Sequence, residues 1–488
     1  DGSVLVPLPL GTEAVDDALY GHGIASVEAT LRKAQTKFNH WLKLDPDDRT
    51  VEGLLEALSF DYFKLLDLLT IARSRKHIAK YYDLAEIGRF PERAKPVNIK
   101  ADIDGKDRFP ELKEINRDIR RLNLSAYAPL KYVLPAKLDE YSRKYDMQVA
   151  GGSVFKQIDR EESLIHLMRV NLFKRMESSI NSFALTLERL LRDVRDFISR
   201  IESHEKTEIE ELSIEDIEVD DDDFAPFLIG TKVKVLIQDV DRVRWKQELE
   251  EDEQLLVRLL REAREIDTAR DEKLSRLKGL IADKCRNPIN PGNTKIIIFT
   301  AFADTADYLY ENIAAWARHD LGLYSALVTG RTGGNKTTMP NLRKDISSII
   351  TSFSPLSKER TKIDEDLIDE ISILIATDCI SEGQNLQDCD YVVNYDIHWN
   401  PVRIIQRFGR IDRLGSRNNV VQLVNFWPNM ELDEYINLEA RVSGRMILLD
   451  ISATGEENII EFSDAGQMND LEYRRRQLEQ LQNEVVDI

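Results

Sequence analysis

Between residues 294 and 427 five short, almost wholly apolar runs alternate with stretches of helical periodicity, and no other feature of the 488-residue chain restricts its fold as strongly. The runs are Lys295–Phe299, Tyr324–Val328, Ile371–Ala376, Tyr391–Tyr395 and Val420–Phe426. Each is too short for a helix, and their β-branched content suits strands buried on both faces. The segments between them read as helices, one through Tyr308 and Trp316, the next with Leu342, Ile346, Ile349 and Phe353 on one face. Strands alternating with helices predict an α/β fold built on a mostly parallel, doubly wound sheet. Such sheets gather ligands at the carboxyl ends of their strands. Chemistry is therefore expected just after each run.

The region before this sheet is helical. From about 97 to 285 the clearest stripe runs Phe183, Leu187, Leu190, Val194, Phe197, Ile201, at spacings of four and three. A partner helix carries Leu256, Leu260, Ala263 and Ile266 and is expected to continue through Leu274, Leu277 and Ile281. Between them, residues 202–223 carry acids at almost every second position and end in Asp220-Asp221-Asp222-Asp223. That segment buries too little to fold alone and reads as an acidic linker. Upstream, Phe60 to Tyr82 reads as a helix ending in Arg73-Ser74-Arg75-Lys76, before Pro91 and Pro96 break the pattern. The expected organisation is thus 1–96, a helical unit 97–285, the sheet domain 286–455, and a C-terminal helix 456–488 holding Arg474-Arg475-Arg476.

Composition narrows the function. Lys+Arg 67 against Asp+Glu 87 gives a net charge of −20, which argues against a simple polyanion binder. The excess acid is not spread evenly, because Arg403, Arg407, Arg410, Arg413 and Arg417 face only Asp412 in their stretch. Cys285, Cys379 and Cys389 form no C-x-x-C pair, so neither a disulfide scaffold nor a zinc ribbon is expected and a cytoplasmic setting is the default. His204-Glu205 lacks the second His of a zinc-protease helix, which is Glu208 here; no metal site is expected. No apolar run approaches the roughly 20 residues that span a bilayer, so no membrane partner is expected. Asp1-Gly2-Ser3 shows neither an initiator Met nor a signal segment.

Two motifs carry the chemistry. In Asn400–Gly415, Asn400 suits a helix cap, Pro401 the first turn and Gly415 the end. Ile404, Phe408 and Ile411 form one buried face, and Gln406, Arg410 and Arg413 a second stripe at the same spacing. Two arginines a turn apart can grip a triphosphate with planar, always-charged forks. Gly409 between them removes a side chain and lets a phosphate or backbone come close. The competing explanation, a solvated basic face, accounts for arginines but not for the Gln-x-x-x-Arg-x-x-Arg order beside a strand end. The second motif is the strand end Ile375-Ala376-Thr377-Asp378 followed by Ser381, Gly383 and Asn385. Its hydroxyls and backbone N–H groups suit a sugar-phosphate chain, and Asp378 or Asn385 suits a ribose. Alone, this motif is equally ordinary loop capping.

Taken in order, Ile-Ile-Ile-Phe-Thr (296–300), Ile-Ala-Thr-Asp through Ser-Glu-Gly-Gln-Asn-Leu (375–386), Asn-Tyr-Asp-Ile-His-Trp-Asn-Pro (394–401) and Gln-Arg-Phe-Gly-Arg-Ile-Asp-Arg-Leu-Gly (406–415) resemble the second RecA-like lobe of superfamily-two helicases. The Trp-Asn-Pro step and the Arg-Ile-Asp-Arg-Leu-Gly ending are most similar to Swi/Snf-type DNA translocases, in particular bacterial members of the RNA-polymerase-recycling type. The resemblance is strong over 290–455 and weak over 60–96, where the basic cluster is similar to the end of the first lobe. It implies a RecA-like fold with a large helical insertion, an ATP-dependent enzyme acting on double-stranded DNA, and a nucleoid-associated place in the cytoplasm. Arg410 and Arg413 would reach across a cleft to phosphates held by the first lobe, with Gln406 sensing the γ-phosphate. Gly383, Asn385, Asp378 and Gly409 would lie at the nucleotide. Thr300, Gly330, Thr377 and Ser381 would face the DNA backbone. Ser416 departs from the Gly-Gln that many members carry there, which bears on the subfamily and not on the lobe.

The sequence contains no Gly-x-x-x-x-Gly-Lys-Ser/Thr phosphate loop. Its nearest decoy, Gly330 to Thr337, has Asn335 in place of the second Gly, whose small size lets backbone amides wrap phosphates. Asp364-Glu365 and Asp369-Glu370 follow no strand and do not read as a magnesium box. ATP and magnesium are therefore expected to be held mostly by residues outside this chain, which reads as the C-terminal part of a longer enzyme whose partners are its own first lobe, DNA, and proteins docking on the helical insertion. Two alternatives stand beside this: a non-catalytic docking module derived from a helicase, and an RNA helicase.

Overall fold

A computed structural model describes residues 27–41, 88–148, 154–155, 157–202, 208–210, 233–362, 369–380, 383–397 and 401–427. The expectations for the basic cluster 73–76, most of the acidic linker, Ser381, Trp399-Asn400 and the C-terminal helix lie outside these residues. Helix α1 (Val27–Trp41) stands first. Strands β1 (Glu92–Arg93) and β2 (Val97–Lys100) lead into helices α2 (Leu112–Arg121) and α3 (Pro135–Tyr145). Hairpin β3 (Met147–Gln148) and β4 (Val154–Phe155) precedes the long helices α4 (Gln157–Ser178) and α5 (Ile180–Glu202). A second hairpin, β5 (Glu208–Glu210) with β6 (Lys234–Leu236), opens onto α6 (Arg242–Arg264) and α7 (Glu272–Arg286).

The sheet follows as β7 (Ile296–Phe299), α8 (Ala303–Asp320), β8 (Tyr324–Val328), β9 (Lys336–Thr337), α9 (Ile346–Phe353), β10 (Ile371–Ala376), β11 (Tyr391–Asn394), α10 (Pro401–Phe408) and β12 (Val420–Trp427). Its spatial order is β1-β12-β11-β7-β10-β8-β9, with β2 also on β12; every pair is parallel except β8–β9. This is the doubly wound α/β sheet expected. Alternate residues serve opposite faces. Ile296, Ile298, Ile373 and Ile375 pack with Leu277 and Ile281 of α7 and Leu309 and Ile313 of α8. Ile297, Phe299 and Leu374 belong to the opposite core, with Ile349 and Phe353 of α9 and Ile404 and Phe408 of α10.

Two boundaries differ from expectation. Residues 92–100, divided at 96/97 in the sequence reading, are edge strands of the sheet. They are pinned there by an Arg93–Asp412 ion pair at 2.7 Å and by Gly88, whose Cβ would lie 2.9 Å from Gly415 Cα. The long helix expected to run from Leu256 through Ile281 breaks at 265–271, where Asp271 caps α7 by accepting from Leu274 N–H at 2.8 Å. Thereafter α7 packs on the sheet and not in the helical unit. A neck joins the two parts: Arg270 and Asp104 form a bidentate ion pair, and Gly105 N–H donates to the Arg270 carbonyl at 2.8 Å.

Within the helical unit α5 buries Phe183, Leu187, Leu190, Val194, Phe197 and Ile201, the stripe read from the sequence. Its neighbour α6 buries Leu249, Leu256, Leu259 and Ala263 together with Trp245, which stacks on Tyr132 at 5.1 Å. Asp252 is fully buried in α6 and accepts from the N–H groups of Asn123 and Ser125. Desolvation outweighs these bonds and pushes its pKa up to about 6.

Candidate nucleotide-phosphate site

At the carboxyl end of β10, Thr377 continues the strand and a tight turn, Asp378–Ile380, follows. Gly383 takes φ +73°, a conformation open to Gly but strained for other residues, and presents the next peptide outward. Asn385 closes a local turn, its side-chain oxygen accepting from Gln387 N–H at 3.3 Å. Leu386 N–H then donates to the Arg410 carbonyl at 3.1 Å, tying this loop to the segment after α10. Ile404, Phe408 and Ile411 are buried as expected. The helix itself is shorter than expected, ending at Phe408 and not near Gly415. Past it the chain winds through tight turns, Arg410 N–H to Arg407 and Ile411 N–H to Phe408, until Gly415 at φ +78°.

Those turns bring the two arginines together. Arg410 donates to the Gln384 carbonyl at 3.2 Å and Arg413 to the same oxygen at 3.3 Å. Each is braced by a carbonyl of its own segment, Arg410 on Gln406 and Arg413 on Gly409. A Cβ on residue 409 would sit 3.2 Å from the Ile405 carbonyl, so glycine there relieves crowding within the helix end. Half-burial draws the Arg413 pKa below the ordinary guanidinium value, though an arginine stays charged. Gln406 is half-buried, and its side-chain oxygen has no hydrogen-bond partner. Lys358, from the loop after α9, donates to the Gln384 side-chain oxygen at 2.9 Å. Gln406, Arg410, Arg413, Gly383, Asn385 and Gly409 therefore lie on two segments laced to one another.

Asp378 is a correction. It was expected at a ribose, but Arg407 takes both its carboxylate oxygens at 2.7 and 2.6 Å. Arg407 is completely buried, also bonds Asn394 Oδ1 at 3.0 Å, and lies over the Phe299 ring at 5.3 Å. A buried guanidinium needs a carboxylate, and Asp378 supplies it.

Thr300 is a second correction. The resemblance turned it towards DNA; it is fully buried and donates to Asp396 Oδ2 at 2.5 Å. Asp396 also accepts from Ser178 Oγ at 2.6 Å and from Ala301 N–H at 2.8 Å. This cluster sits between β7 and β11, where the strand order reverses and doubly wound sheets ordinarily open a crevice. Here the junction of α4 and α5 fills it. Thr377 is likewise buried, its hydroxyl beside Cys379 Sγ at 3.4 Å. Of the residues that the resemblance places at the DNA backbone, Gly330 is exposed. Its neighbour Arg331 bonds Asp304, which also holds Arg175 and Arg189 of the helical unit.

The sequence reading gave no role to Arg407, Asp396 or Lys358. Arg407 was visible as an arginine off the Gln406–Arg410–Arg413 stripe, one position before the apolar Phe408. The other two carry no local signal, because their partners lie far along the chain. Among the described residues no group of three or more His, Cys, Asp or Glu is placed to hold a metal ion.

Residues 272–415 match the model of the helicase conserved C-terminal domain. An uncharacterized ATP-dependent helicase, YqhH, of Bacillus subtilis is 45% identical over 67 residues, 14% of this chain and 12% of that protein. The ATP-dependent RNA helicase dbp8 of Emericella nidulans is 25% identical over 159 residues, 29% of this chain and 30% of that one. The chain thus spans 12% and 30% of the length of these two relatives. Further relatives carry DNA-helicase names. The crystal structure of the C-terminal part of the Fun30 ATPase domain aligns at a TM-score of 0.30 and 12% identity, covering 80% of this chain and 100% of that one. With the matched motifs carried on a doubly wound sheet, residues 272–415 form a helicase C-terminal domain of RecA-like fold.

Proposed function

We propose that this chain supplies the arginine half of an ATP-driven translocase of the Swi/Snf type acting on duplex DNA. The observation that carries the reading is the convergence of Arg410 and Arg413 on the single carbonyl of Gln384, in the loop that follows β10. A neutral carbonyl is a weak partner for the Arg413 guanidinium, whereas a triphosphate bearing developing charge is a strong one for an arginine pair. The phosphate loop and magnesium carboxylates belong to a second RecA-like lobe outside this sequence. Closure of that lobe exchanges the Gln384 carbonyl for phosphate oxygens, and Gln406, whose side-chain oxygen is buried in the open form, turns to orient the attacking water. Hydrolysis reopens the cleft and resets the grip on the nucleic-acid backbone.

The test uses a protein that joins this chain to its phosphate-loop lobe. Arg410→Ala or Arg413→Ala should each lower ATP turnover by ~10³–10⁵ if they act as arginine fingers, with nucleic-acid affinity changed far less. Equal losses of turnover and of DNA binding would make them clamps on the nucleic acid and sink the proposal. Because the relatives carry both RNA- and DNA-helicase names, turnover is compared with duplex DNA and with RNA as activator. Stimulation by RNA alone would replace the DNA reading with the RNA one. The 488-residue chain by itself should hydrolyse ATP only at background.

A further inference from the structure

Three cations meet around Gln384, and the third lies outside both motifs read from the sequence. Arg410 and Arg413 hold the backbone carbonyl, and Lys358 holds the side-chain oxygen of the same residue. The lysine does not arrive there by chance of rotamer. Its loop is stapled to the strand-end segment by Asp388, whose carboxylate accepts from Leu356 N–H at 2.7 Å, from Ser357 N–H at 2.9 Å and from the Ser357 hydroxyl. Asp388 lies four residues after Gln384, so one short segment fixes both the lysine and its acceptor.

The electrostatics of this arrangement are unfavourable as it stands. Lys358 is partly buried, and its pKa falls below the ordinary lysine value through that burial and through the nearby Arg413 charge. Among the described residues, two carboxylates near it in the chain or on the facing segment are engaged elsewhere: Asp388 by the two loop N–H groups, and Glu359 by Lys362 at 2.7 Å. Among the described residues no carboxylate pairs with Lys358 or Arg413. Arg413 spends two of its five N–H donors, both on neutral carbonyls. Like charges drawn together and half-desolvated raise the free energy of the fold until an anion joins them.

We propose that Lys358 is a third anion-binding group of this site, which together with Arg410 and Arg413 receives the polyphosphate chain of a nucleoside triphosphate. This rests on the functional reading above and adds to it a residue some fifty positions upstream of the arginines, on a different loop. An ammonium acts as a point charge where the guanidinium groups act as forks. Lys358 therefore supplies charge at the outer side of the arginine pair, where it strengthens binding of the phosphates before the fork geometry is engaged.

The test measures binding of inorganic tripolyphosphate to the 488-residue chain by calorimetry at low and physiological salt. Lys358→Gln should weaken the affinity about five- to tenfold, the scale of one charge-assisted contact, and Lys358→Arg should restore most of it. Arg413→Gln should weaken it by at least as much. Lys336→Gln, which removes a lysine paired with Asp307 on another surface, should change nothing. Hydrogen exchange across α9 and β10 confirms that each variant is folded. If Arg410→Gln and Arg413→Gln lose binding while Lys358→Gln binds like the unaltered chain, the lysine proposal fails and the arginine reading stands. If tripolyphosphate does not bind, or binds regardless of all three substitutions, both fail together.

Discussion

Removing the Asp378 carboxylate distinguishes a nucleotide ligand from a structural counter-ion. Arg407 has no exposed surface, and Asp378 meets it with two bonds of 2.7 and 2.6 Å. Arg407 also donates to Asn394 Oδ1 and, at 3.4 Å, to the Asp396 carbonyl. Asp378→Ala takes a bidentate carboxylate away from a buried guanidinium, and breaking such a buried pair costs about 3–5 kcal/mol. Because 1.4 kcal/mol is tenfold in an equilibrium, protection against hydrogen exchange at β7 and β11 should fall by about 10²–10³-fold or more. Asp378→Asn, which keeps an acceptor but not the charge, should lie between. The paired change Asp378→Leu with Arg407→Met leaves neither charge and should recover much of the loss, as buried pairs replaced by apolar residues commonly do. Hydrogen exchange by mass spectrometry on peptides covering 296–300 and 391–397 reads the effect. A loss under tenfold in Asp378→Ala, or no recovery in the double variant, would refute the counter-ion argument and return Asp378 to the nucleotide.

Two further outcomes follow from the polar interior. Asp252 has a folded pKa of about 6, above its unfolded value near 3.9. The folded state then holds the extra proton between those limits, so this group's contribution to stability falls as pH rises from about 4 to 6. Urea titrations should show the unaltered chain losing up to ~3 kcal/mol relative to Asp252→Asn across that window; a constant difference would refute it. Thr300→Val removes one of three donors to the buried Asp396 carboxylate, leaving Ser178 Oγ and Ala301 N–H, and should destabilise the chain by about 1–3 kcal/mol, with the salt dependence of DNA binding unchanged. A shallower salt slope would show that the hydroxyl serves the backbone contact after all.

How much of this was legible depended on the distance between partners. Five of the six described strands from β7 onward were found within a residue or so, the two-residue β9 being the exception, because burial on both faces writes itself into a continuous run such as Ile296-Ile297-Ile298-Phe299. The α5 stripe was equally readable, since its period is local. Edge strand β2, Val97-Asn98-Ile99-Lys100, alternates polar with apolar and has only four residues, so nothing local marks it as part of a sheet. The break between α6 and α7 turns on Asp271 as a cap and Arg270 as the partner of Asp104, 166 residues away. At the site, the spacing of Gln406, Arg410 and Arg413 announced a shared direction. It did not announce that Arg407, one residue on from Gln406, points inward to Asp378, nor that Lys358 arrives from another loop. Hydroxyls at strand ends were over-read for a related reason: Thr300 is the right residue for a backbone contact, yet a helical unit packs over it.

The edge position of β1 and β2 sets an order of assembly. Arg93 and Asp412 are 319 residues apart and the Asn98–Asn425 contact spans 327, so these pairings have the greatest loop-closure cost of any in the sheet. A chain emerging from the ribosome presents 92–100 long before β12 exists. The helical unit, which contributes residues 115–266 to the core it shares with one face of the sheet, can begin to pack in the interval. The two strands therefore wait unpaired while more than three hundred residues are added, the earliest-made part of the sheet and the last to be joined. Glu92, Arg93, Lys95 and Lys100 place charge along that waiting segment, which discourages an open strand edge from pairing with another chain in the meantime.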